Sequence, residues 1–271
     1  REPPRAAFHH LRAWIMSLIH QPGPPLVIGH RGAAAVRPEN TIPSFEHALA
    51  LGVDAVEFDV RVTADGVAVV HHDASTARTC GEQLVVHTSP VVALRSLDAG
   101  AVFNASGATA TRTRIPLLDE VLELTRGVPV IVECKTVEAA PMVIAALRAH
   151  DAVDRAIVGS FLHGVMRTVR AAHLASGASR RDMIGLLVRG MLHLPPKRFP
   201  CEALCIPEQS SGLRLPLAQL AAWGRPIGVP VHVWTVNRAA DALRLWDAGV
   251  TGVLTDDPQV ILAARATRPP G

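Results

Sequence analysis

The sequence predicts an α/β fold in which a parallel, eight-stranded sheet covered by helices closes into one barrel-type domain over residues 1–271. Apolar, β-branched runs alternate with helical patterns along the chain, which is typical of a parallel sheet packed under helices. With 271 residues, of which 49% are hydrophobic, the chain can bury one large core. The net charge of only +3 gives no basic surface of the kind that binds nucleic acid.

Nine short apolar runs have strand character, which is one more than an eight-stranded barrel needs. They are 26–29, 53–60, 67–71, 128–134, 155–159, 183–188, 202–206, 229–236 and 250–254. A parallel crossover takes about a dozen residues. Only residues 61–66 separate the second run from the third, and Asp65-Gly66 is a hairpin turn sequence. A hairpin after the second strand therefore reduces the count to eight.

Helical patterns fill most of the intervals between these runs. They cover 41–51, 117–126, 138–149, 162–174, 215–224, 238–248 and 257–267, and Gly52 and Gly249 follow two of them as C-caps. A further amphipathic helix is predicted at 5–19, within an N-terminal extension of residues 1–24. It is too short to span a bilayer. We expect it to pack across the barrel bottom, and the alternative is a peripheral membrane contact. No complete export signal is visible, so the expected compartment is the cytoplasm.

Residues 74–115 form a long insertion that is rich in Ser, Thr, Ala and Gly. Loops of this length inside a compact domain are usually functional. Because the insertion directly follows His72, at the end of the hairpin, we expect it to lie over the barrel mouth.

Ionisable side chains end several of the predicted strands. The first strand ends in His30-Arg31, and the second carries two carboxylates, Glu57 and Asp59, on alternate positions and therefore on one face. The hairpin returns to the rim at His72-Asp73, and later strands end in Glu133-Cys134-Lys135 and at Trp234. In barrels of this kind the carboxyl ends of the strands hold the chemistry. Hard oxygen ligands on these strand ends favour one Mg²⁺ or Ca²⁺ ion over zinc.

An ordered set of motifs resembles the glycerophosphodiester phosphodiesterase family, a group of PLC-like phosphodiesterase TIM barrels. The matching text is HRG at 30–32, PENT at 38–41, EFD at 57–59, TADG at 63–66, HD at 72–73, ECK at 133–135, WTVN at 234–237 and TDDP at 255–258. The resemblance implies a (β/α)8 barrel that hydrolyses small-molecule glycerophosphodiesters to sn-glycerol 3-phosphate and an alcohol with a divalent metal.

The same resemblance implies a role for each matching residue. Metal ligands would be Glu57, Asp59 and Glu133. His30 and His72 would be the acid–base pair, and Arg31 and Lys135 the cations beside the phosphate. Imidazoles, whose ordinary pKa is about 6.5, can both remove a proton from an attacking hydroxyl and protonate a leaving alkoxide.

The remaining polar residues of these motifs have supporting roles in this interpretation. Glu39, Asn40 and Asp73 are expected to orient the reacting groups. Trp234 is either a wall for the substrate or ordinary barrel packing. Asp256 is expected to cap the final helix.

Two rival functions stay open at this point. A lysophospholipase D of the same family would need a membrane-docking element, for which residues 5–19 are the only candidate in the sequence. A noncatalytic phosphodiester-binding protein would break the histidine pair or the acidic triad, and every one of those positions is filled.

Overall fold

Strands and helices alternate along the chain in the computed structural model, which describes residues 23–105, 112–210 and 212–268. The strands are β1 (Leu26–His30), β2 (Ala55–Val62), β3 (Ala68–Val70), β4 (Val130–Cys134), β5 (Ala156–Gly159), β6 (Leu204–Pro207), β7 (Gln209–Ser210), β8 (Leu213–Arg214), β9 (Val231–Trp234) and β10 (Gly252–Thr255). The helices are α1 (Ile42–Leu51), α2 (Ala77–Cys80), α3 (Val91–Arg95), α4 (Ala101–Ala105), α5 (Leu118–Leu124), α6 (Ala139–Ala149), α7 (His163–Ala171), α8 (Arg180–Met191), α9 (Leu217–Gly224), α10 (Ala239–Asp247) and α11 (Pro258–Ala266). Single 3-10 turns lie at Val86–Thr88, Val153–Arg155 and Arg225–Ile227.

The sheet runs in the order β5-β4-β2-β1-β10-β9-β6, and all of these neighbours pair in parallel. β3 adds to β2 in antiparallel fashion, with Val60 opposite Val70. The predicted hairpin at Asp65-Gly66 is therefore confirmed, and Gly66 adopts the positive φ that such a turn requires.

The strand predicted at 183–188 is wrong, because those residues lie inside helix α8. The eighth barrel position is instead filled by an extended segment around Ser176. The amide of Val158 donates to the carbonyl of Ala175 (2.9 Å), and the amide of Glu202 donates to the carbonyl of Ser176 (2.9 Å). Ser176 thus bridges β5 to the chain that enters β6. The predicted fold class, a parallel barrel covered by helices, is confirmed.

Alternate side chains of each barrel strand point to opposite sides of the sheet. Those on the inner side form a small apolar core inside the barrel, and those on the outer side pack against the helices. The inner core consists of Leu26, Ile28, Ala55, Ile131, Ile157, Ala203 and Leu254. The same inner rows, continued to the carboxyl ends of the strands, reach the rim where the polar residues lie.

The insertion packs on the hairpin around a small core of its own. That core consists of Val69, Cys80, Val86, Leu94, Leu97, Ala99 and Ile115. Asp65 in the hairpin turn accepts a hydrogen bond from the amide of Val91 (3.0 Å), which fixes the start of α3. The insertion reaches the barrel rim through Arg78, which pairs with Glu39 and Asp73.

One prediction concerns the N-terminal part of the chain. The helix predicted at 5–19 lies outside the described residues. Within the described part, no helix combines the length and the apolar character that crossing a bilayer would require.

Candidate active site

Three carboxylates meet at the rim of the barrel. Glu57 and Asp59 continue the inner row of β2, and Glu133 continues that of the neighbouring strand β4, where it pairs in register with Asp59. Each offers an oxygen, and these oxygens all lie within 4.8 Å of one another. Glu57 and Asp59 are buried. Two parallel strands with period-two alternation therefore create one compact cluster of oxygen donors.

Burial and neighbouring charges shift the ionisation of these carboxylates in opposite directions. Burial and the charge of Asp59 together raise the pKa of the Glu57 carboxyl. Burial opposes ionisation of Asp59 as well, but the Lys135 ammonium outweighs it and lowers the pKa of Asp59. Nζ of Lys135 lies 2.8 Å from Asp59 and 2.9 Å from Glu133. Three carboxylates that each offer a hard oxygen donor within 4.8 Å of the others fit a divalent cation of the Mg²⁺ or Ca²⁺ type.

His30 ends the inner row of β1 and is held on both sides by carboxylates. Its Nδ1 donates to Oδ1 of Asp256 (2.7 Å), and its Nε2 lies 3.8 Å from Oε2 of Glu57. Burial disfavours the charged ring, but the Asp256 hydrogen bond and the Glu57 charge outweigh it and raise the pKa of His30. The bond at Nδ1 fixes the ring orientation and leaves Nε2 for exchange of a proton.

His72 has the same arrangement on the hairpin side of the rim. Its Nδ1 donates to Oδ1 of Asp73 (2.7 Å), whose other oxygen accepts from Nε of Arg78 (2.6 Å). Burial opposes ionisation of Asp73, but the bonds from His72 and Arg78 outweigh it and lower the pKa of Asp73 to about 2. Asp73 is therefore an anion at neutral pH and keeps the His72 proton on Nδ1.

Arg31 lies between the acidic cluster and the loop that follows β1. Its Nη1 donates to Oε1 of Glu39 (2.9 Å), and its Nε lies 3.2 Å from Oδ2 of Asp59. That contact lacks hydrogen-bond geometry, so this buried N–H has no hydrogen-bond acceptor among the described residues. Asn40 orients Asp59 from the other side by donating from Nδ2 to Oδ2 (2.7 Å).

A tight turn after β1 explains the glycine of the HRG motif. Arg31 and Gly32 both adopt positive φ, and a Cβ on Gly32 would lie 2.7 Å from the backbone carbonyl carbon of Ser44. The Ser44 hydroxyl donates to the Arg31 carbonyl and accepts from the Ala33 amide, each at 2.9 Å. Only glycine has room at this turn, which directs Arg31 towards the cluster.

One cavity opens at the rim beside these groups. Its polar lining consists of His30, Arg31, Glu57, His72, Glu133, Lys135 and Ser160. Its apolar lining includes Ile131, Phe161, Cys205, Leu254 and Trp234. The Trp234 ring contacts Phe161 edge to face with centroids 6.0 Å apart. Trp234 is therefore both a cavity wall and part of the barrel packing.

The structure thus brings the predicted site residues together. Seven of them line the cavity: His30, Arg31, Glu57, His72, Glu133, Lys135 and Trp234. The others contact these groups from behind: Glu39, Asn40, Asp59 and Asp73.

The expected role of Asp256 as a helix cap is wrong. Asp257 caps α11, since its carboxylate accepts from the amide of Val260 (3.2 Å). Asp256 instead holds His30, and Asn237 donates to its second oxygen (2.8 Å). A signal was present in the sequence, because Asp256 lies two residues after Leu254 and so continues the inner row of β10.

Comparison with known proteins gives the same family throughout. The model of the glycerophosphoryl diester phosphodiesterase family matches residues 30–173 and 224–260. A glycerophosphodiester phosphodiesterase of Caldanaerobacter subterraneus is 32% identical over 249 residues, which cover 88% of this chain and 96% of that relative.

Two further similarities extend the comparison. The solved structure of an Oleispira antarctica phosphodiesterase, in complex with the product sn-glycerol-3-phosphate, is 26% identical with a TM-score of 0.74, covering 90% of this chain and 98% of that one. A lysophospholipase D of Rattus norvegicus is 27% identical over 263 residues, which cover 85% of this chain and 83% of the relative.

Proposed function

The chain belongs to the glycerophosphoryl diester phosphodiesterase family, and on that premise we propose that it hydrolyses glycerophosphodiesters to sn-glycerol 3-phosphate and an alcohol. In this proposal two histidines act as acid and base, and a divalent cation is the cofactor. The observation that carries the proposal is the pair of imidazoles on one cavity, each with Nδ1 fixed on a carboxylate at 2.7 Å. The Oleispira antarctica relative, whose structure contains sn-glycerol-3-phosphate, supports the choice of product.

The two histidines divide the proton transfers in this mechanism. One takes a proton on Nε2 from the attacking hydroxyl, and the other gives its Nε2 proton to the oxygen of the departing alcohol as the phosphorus–oxygen bond breaks. Asp256 and Asp73 hold the rings in place and stabilise the imidazolium form. After the bond breaks, the base ring holds an extra proton on Nε2 and the acid ring lacks one. A proton must therefore leave the first ring and return to the second before the next turnover.

Arg31 and Lys135 are the cations that face the phosphodiester in this proposal. Both line the cavity. A nonbridging phosphate oxygen is a suitable acceptor for the Arg31 guanidinium. Glu57, Asp59 and Glu133 would hold the cation, which when bound neutralises charge on the phosphodiester.

The attacking hydroxyl has two possible sources. It is either the glycerol 2-hydroxyl of the substrate, which forms a cyclic phosphate that water later opens, or a water molecule. The intermediate distinguishes the two routes, because only the first passes through a cyclic glycerol phosphate. Phosphorus NMR of an early time point detects that species directly.

The metal requirement is tested by chelation and add-back. We expect EDTA to remove activity towards glycerophosphoethanolamine and Mg²⁺ or Ca²⁺ to restore it. Glu57→Gln removes one charge from the cluster and should raise the half-saturating metal concentration about tenfold or more. Glu46→Gln is the matched control, since Glu46 is exposed on α1. An unchanged metal requirement in Glu57→Gln would contradict the proposed ligand set.

A second candidate activity is lysophospholipase D. Phe161 lines the cavity and Leu162 follows it in the chain, with 44% and 41% of their surface exposed. The rat relative carries this activity in its name. The test compares kcat/KM for lysophosphatidylethanolamine and glycerophosphoethanolamine. Leu162→Gln should lower the first value and leave the second unchanged if an acyl chain leaves the cavity there. Equal effects on both substrates would mean that the acyl chain does not leave the cavity beside Leu162.

A further inference from the structure

Helix α8 has apolar side chains on both of its sides. The inner side, with Leu186 and Gly190 buried, packs on the barrel core. The opposite side has four exposed residues, which we call the α8 outer face: Ile184, Val188, Met191 and Leu192. They are exposed by 58%, 50%, 82% and 62%, respectively. Surface helices normally place polar residues on this side, so the face is an unexplained apolar surface.

The spacing makes these four residues a single stripe. Their separations of four, seven and eight residues repeat close to the helical period, so the side chains lie one above another along the helix. All four side chains are exposed by 50% or more, so the stripe faces solvent. Apolar surface of this kind, when contiguous, marks an interaction site.

Three arginines share helix α8 with the stripe, and two more cations follow the helix in the chain. Exposed cations in and after α8 are Arg180, Arg181, Arg189, Lys197 and Arg198, and none of them forms an ion pair with a carboxylate in the part of the chain that the structure describes. The one acidic residue of this stretch, Asp182, points to Arg170 and to the Ser179 cap instead. The face is therefore complementary to an apolar partner that carries negative charge at its edge.

Helix α8 begins beside the active-site cavity, about one turn before Ile184. The amide of Arg180 donates to the carbonyl of Phe161 (3.2 Å), and its guanidinium lies 5.8 Å from the centre of the Phe161 ring. Phe161 itself lines the cavity, as do Gly177 and Ala178 just before the helix. Whatever binds the α8 outer face therefore lies next to the entrance of the site.

We propose that the α8 outer face docks on an anionic phospholipid surface, with its aliphatic side chains among the acyl chains and its cations at the lipid phosphates. Aliphatic residues flanked by arginine and lysine are the pattern of an interfacial helix. A second copy of this chain is a poorer partner, because a two-fold contact would bring the three arginines of α8 against the same three of the other copy. Docking does not depend on the reaction, whereas its use for capturing phosphodiesters at a membrane rests on the proposed function.

Sedimentation with vesicles tests the docking on the full chain. We expect the protein to bind phosphatidylcholine vesicles that contain about one-third phosphatidylglycerol at about 0.1 M salt, and to bind pure phosphatidylcholine more weakly. Ile184→Gln with Met191→Gln should lower the partition coefficient about tenfold or more. Arg181→Gln with Arg189→Gln should lower it about tenfold at the same salt.

Matched controls lie elsewhere on the surface. Val92→Gln removes an equally exposed apolar side chain, and Arg126→Gln with Arg148→Gln removes two exposed charges. Neither should change vesicle binding. The melting temperature and the activity on glycerophosphoethanolamine should stay unchanged in Ile184→Gln with Met191→Gln, so a failure of docking is distinguishable from a failure of catalysis.

Three results would overturn the proposal. The first is absence of binding to the anionic vesicles by the unmodified chain. The second is full binding by Ile184→Gln with Met191→Gln, which would assign the contact to another segment such as residues 5–19. The third is a dimer in sedimentation velocity that the same double substitution dissociates, since the face would then be covered by a second copy.

Discussion

The region that the family model matches and the region that it leaves out contribute differently to this barrel. Residues 30–173 and 224–260 match the family model and supply all the charged groups of the candidate site. The segment 174–223 is outside the match. Its described residues supply only small or weakly polar side chains to the cavity, namely Gly177, Ala178 and Cys205.

The two regions differ in function: the matched region holds the charged groups of the site, and the segment 174–223 forms part of the outer surface. Charged side chains in the matched region are fixed by strand register and by partners behind them, so a small change there moves a reacting group. In the segment 174–223 one short bridge at Ser176 closes the barrel, and α8 then presents an apolar face to the outside. This arrangement predicts that changes in the first region alter catalysis, while changes in the second alter stability or docking.

The largest expected effect is the loss of one catalytic imidazole. His30→Ala and His72→Ala should each lower kcat by about 10²–10⁴-fold, because one of the two proton transfers then lacks its group. The melting temperature should change little in either variant, since both rings lie at the rim rather than in the core. Retention of more than a few percent of activity in either purified protein would contradict the acid–base assignment. It would also contradict the expectation that changes in the matched region alter catalysis.

Much of the matched region could be predicted from the sequence because strand periodicity is local. Glu57 and Asp59 alternate with buried apolar residues, so their shared face follows from the chain itself. The gathering of strand ends at one rim follows from parallel topology, which the helical intervals indicate. The exact partners could not be derived, since the contact between His30 and Asp256 joins residues 226 positions apart.

The strand prediction at 183–188 fails for a physical reason. Helix α8 has apolar side chains on two opposite sides, so the window 183–188 has the continuous apolar character of a buried strand. Residue preferences cannot distinguish a buried strand from such a helix in this window. The Ser179-Asp182 capping box was the signal for a helix start, because Asp182 accepts from the Ser179 amide (2.9 Å) while its own amide donates to the Ser179 hydroxyl (3.3 Å).

The two faces of α8 provide the next test. Leu186→Ala should lower the free energy of unfolding by about 2–5 kcal/mol, because it leaves a cavity under the helix. Ile184→Ala, on the outer face of the same helix, should change it by less than about 0.5 kcal/mol. Urea denaturation measures both. A large loss of stability in Ile184→Ala would show that the outer face is covered within the molecule, and would remove the basis for docking.

The adjacent residues Asp256 and Asp257 test the boundary between chemistry and stability within the matched region. Asp256→Ala should lower kcat by about 10–100-fold with KM nearly unchanged, because His30 loses the group that holds its Nδ1. Asp257→Ala should leave kcat unchanged and cost about 0.5–2 kcal/mol of stability through the lost α11 cap. Steady-state kinetics and denaturation of both variants check the pair. Loss of stability without loss of kcat in Asp256→Ala would mean that Asp256 acts as a helix cap and does not position His30.

The smallest expected effect is a pH dependence at the start of α8. Burial opposes ionisation of Asp182, but its bonds to Arg170 and Ser179 outweigh it and lower its pKa. A carboxyl whose pKa is lowered on folding stabilises the protein above its unfolded pKa of 3.8, and this contribution disappears as the pH falls through the folded pKa. Asp182→Asn should therefore have a lower melting temperature than the unmodified chain at neutral pH, and the difference should shrink in acid. A difference that stays constant from neutral pH into acid would mean that the carboxylate charge does not hold the helix start, which would then depend on the Ser179 hydroxyl alone.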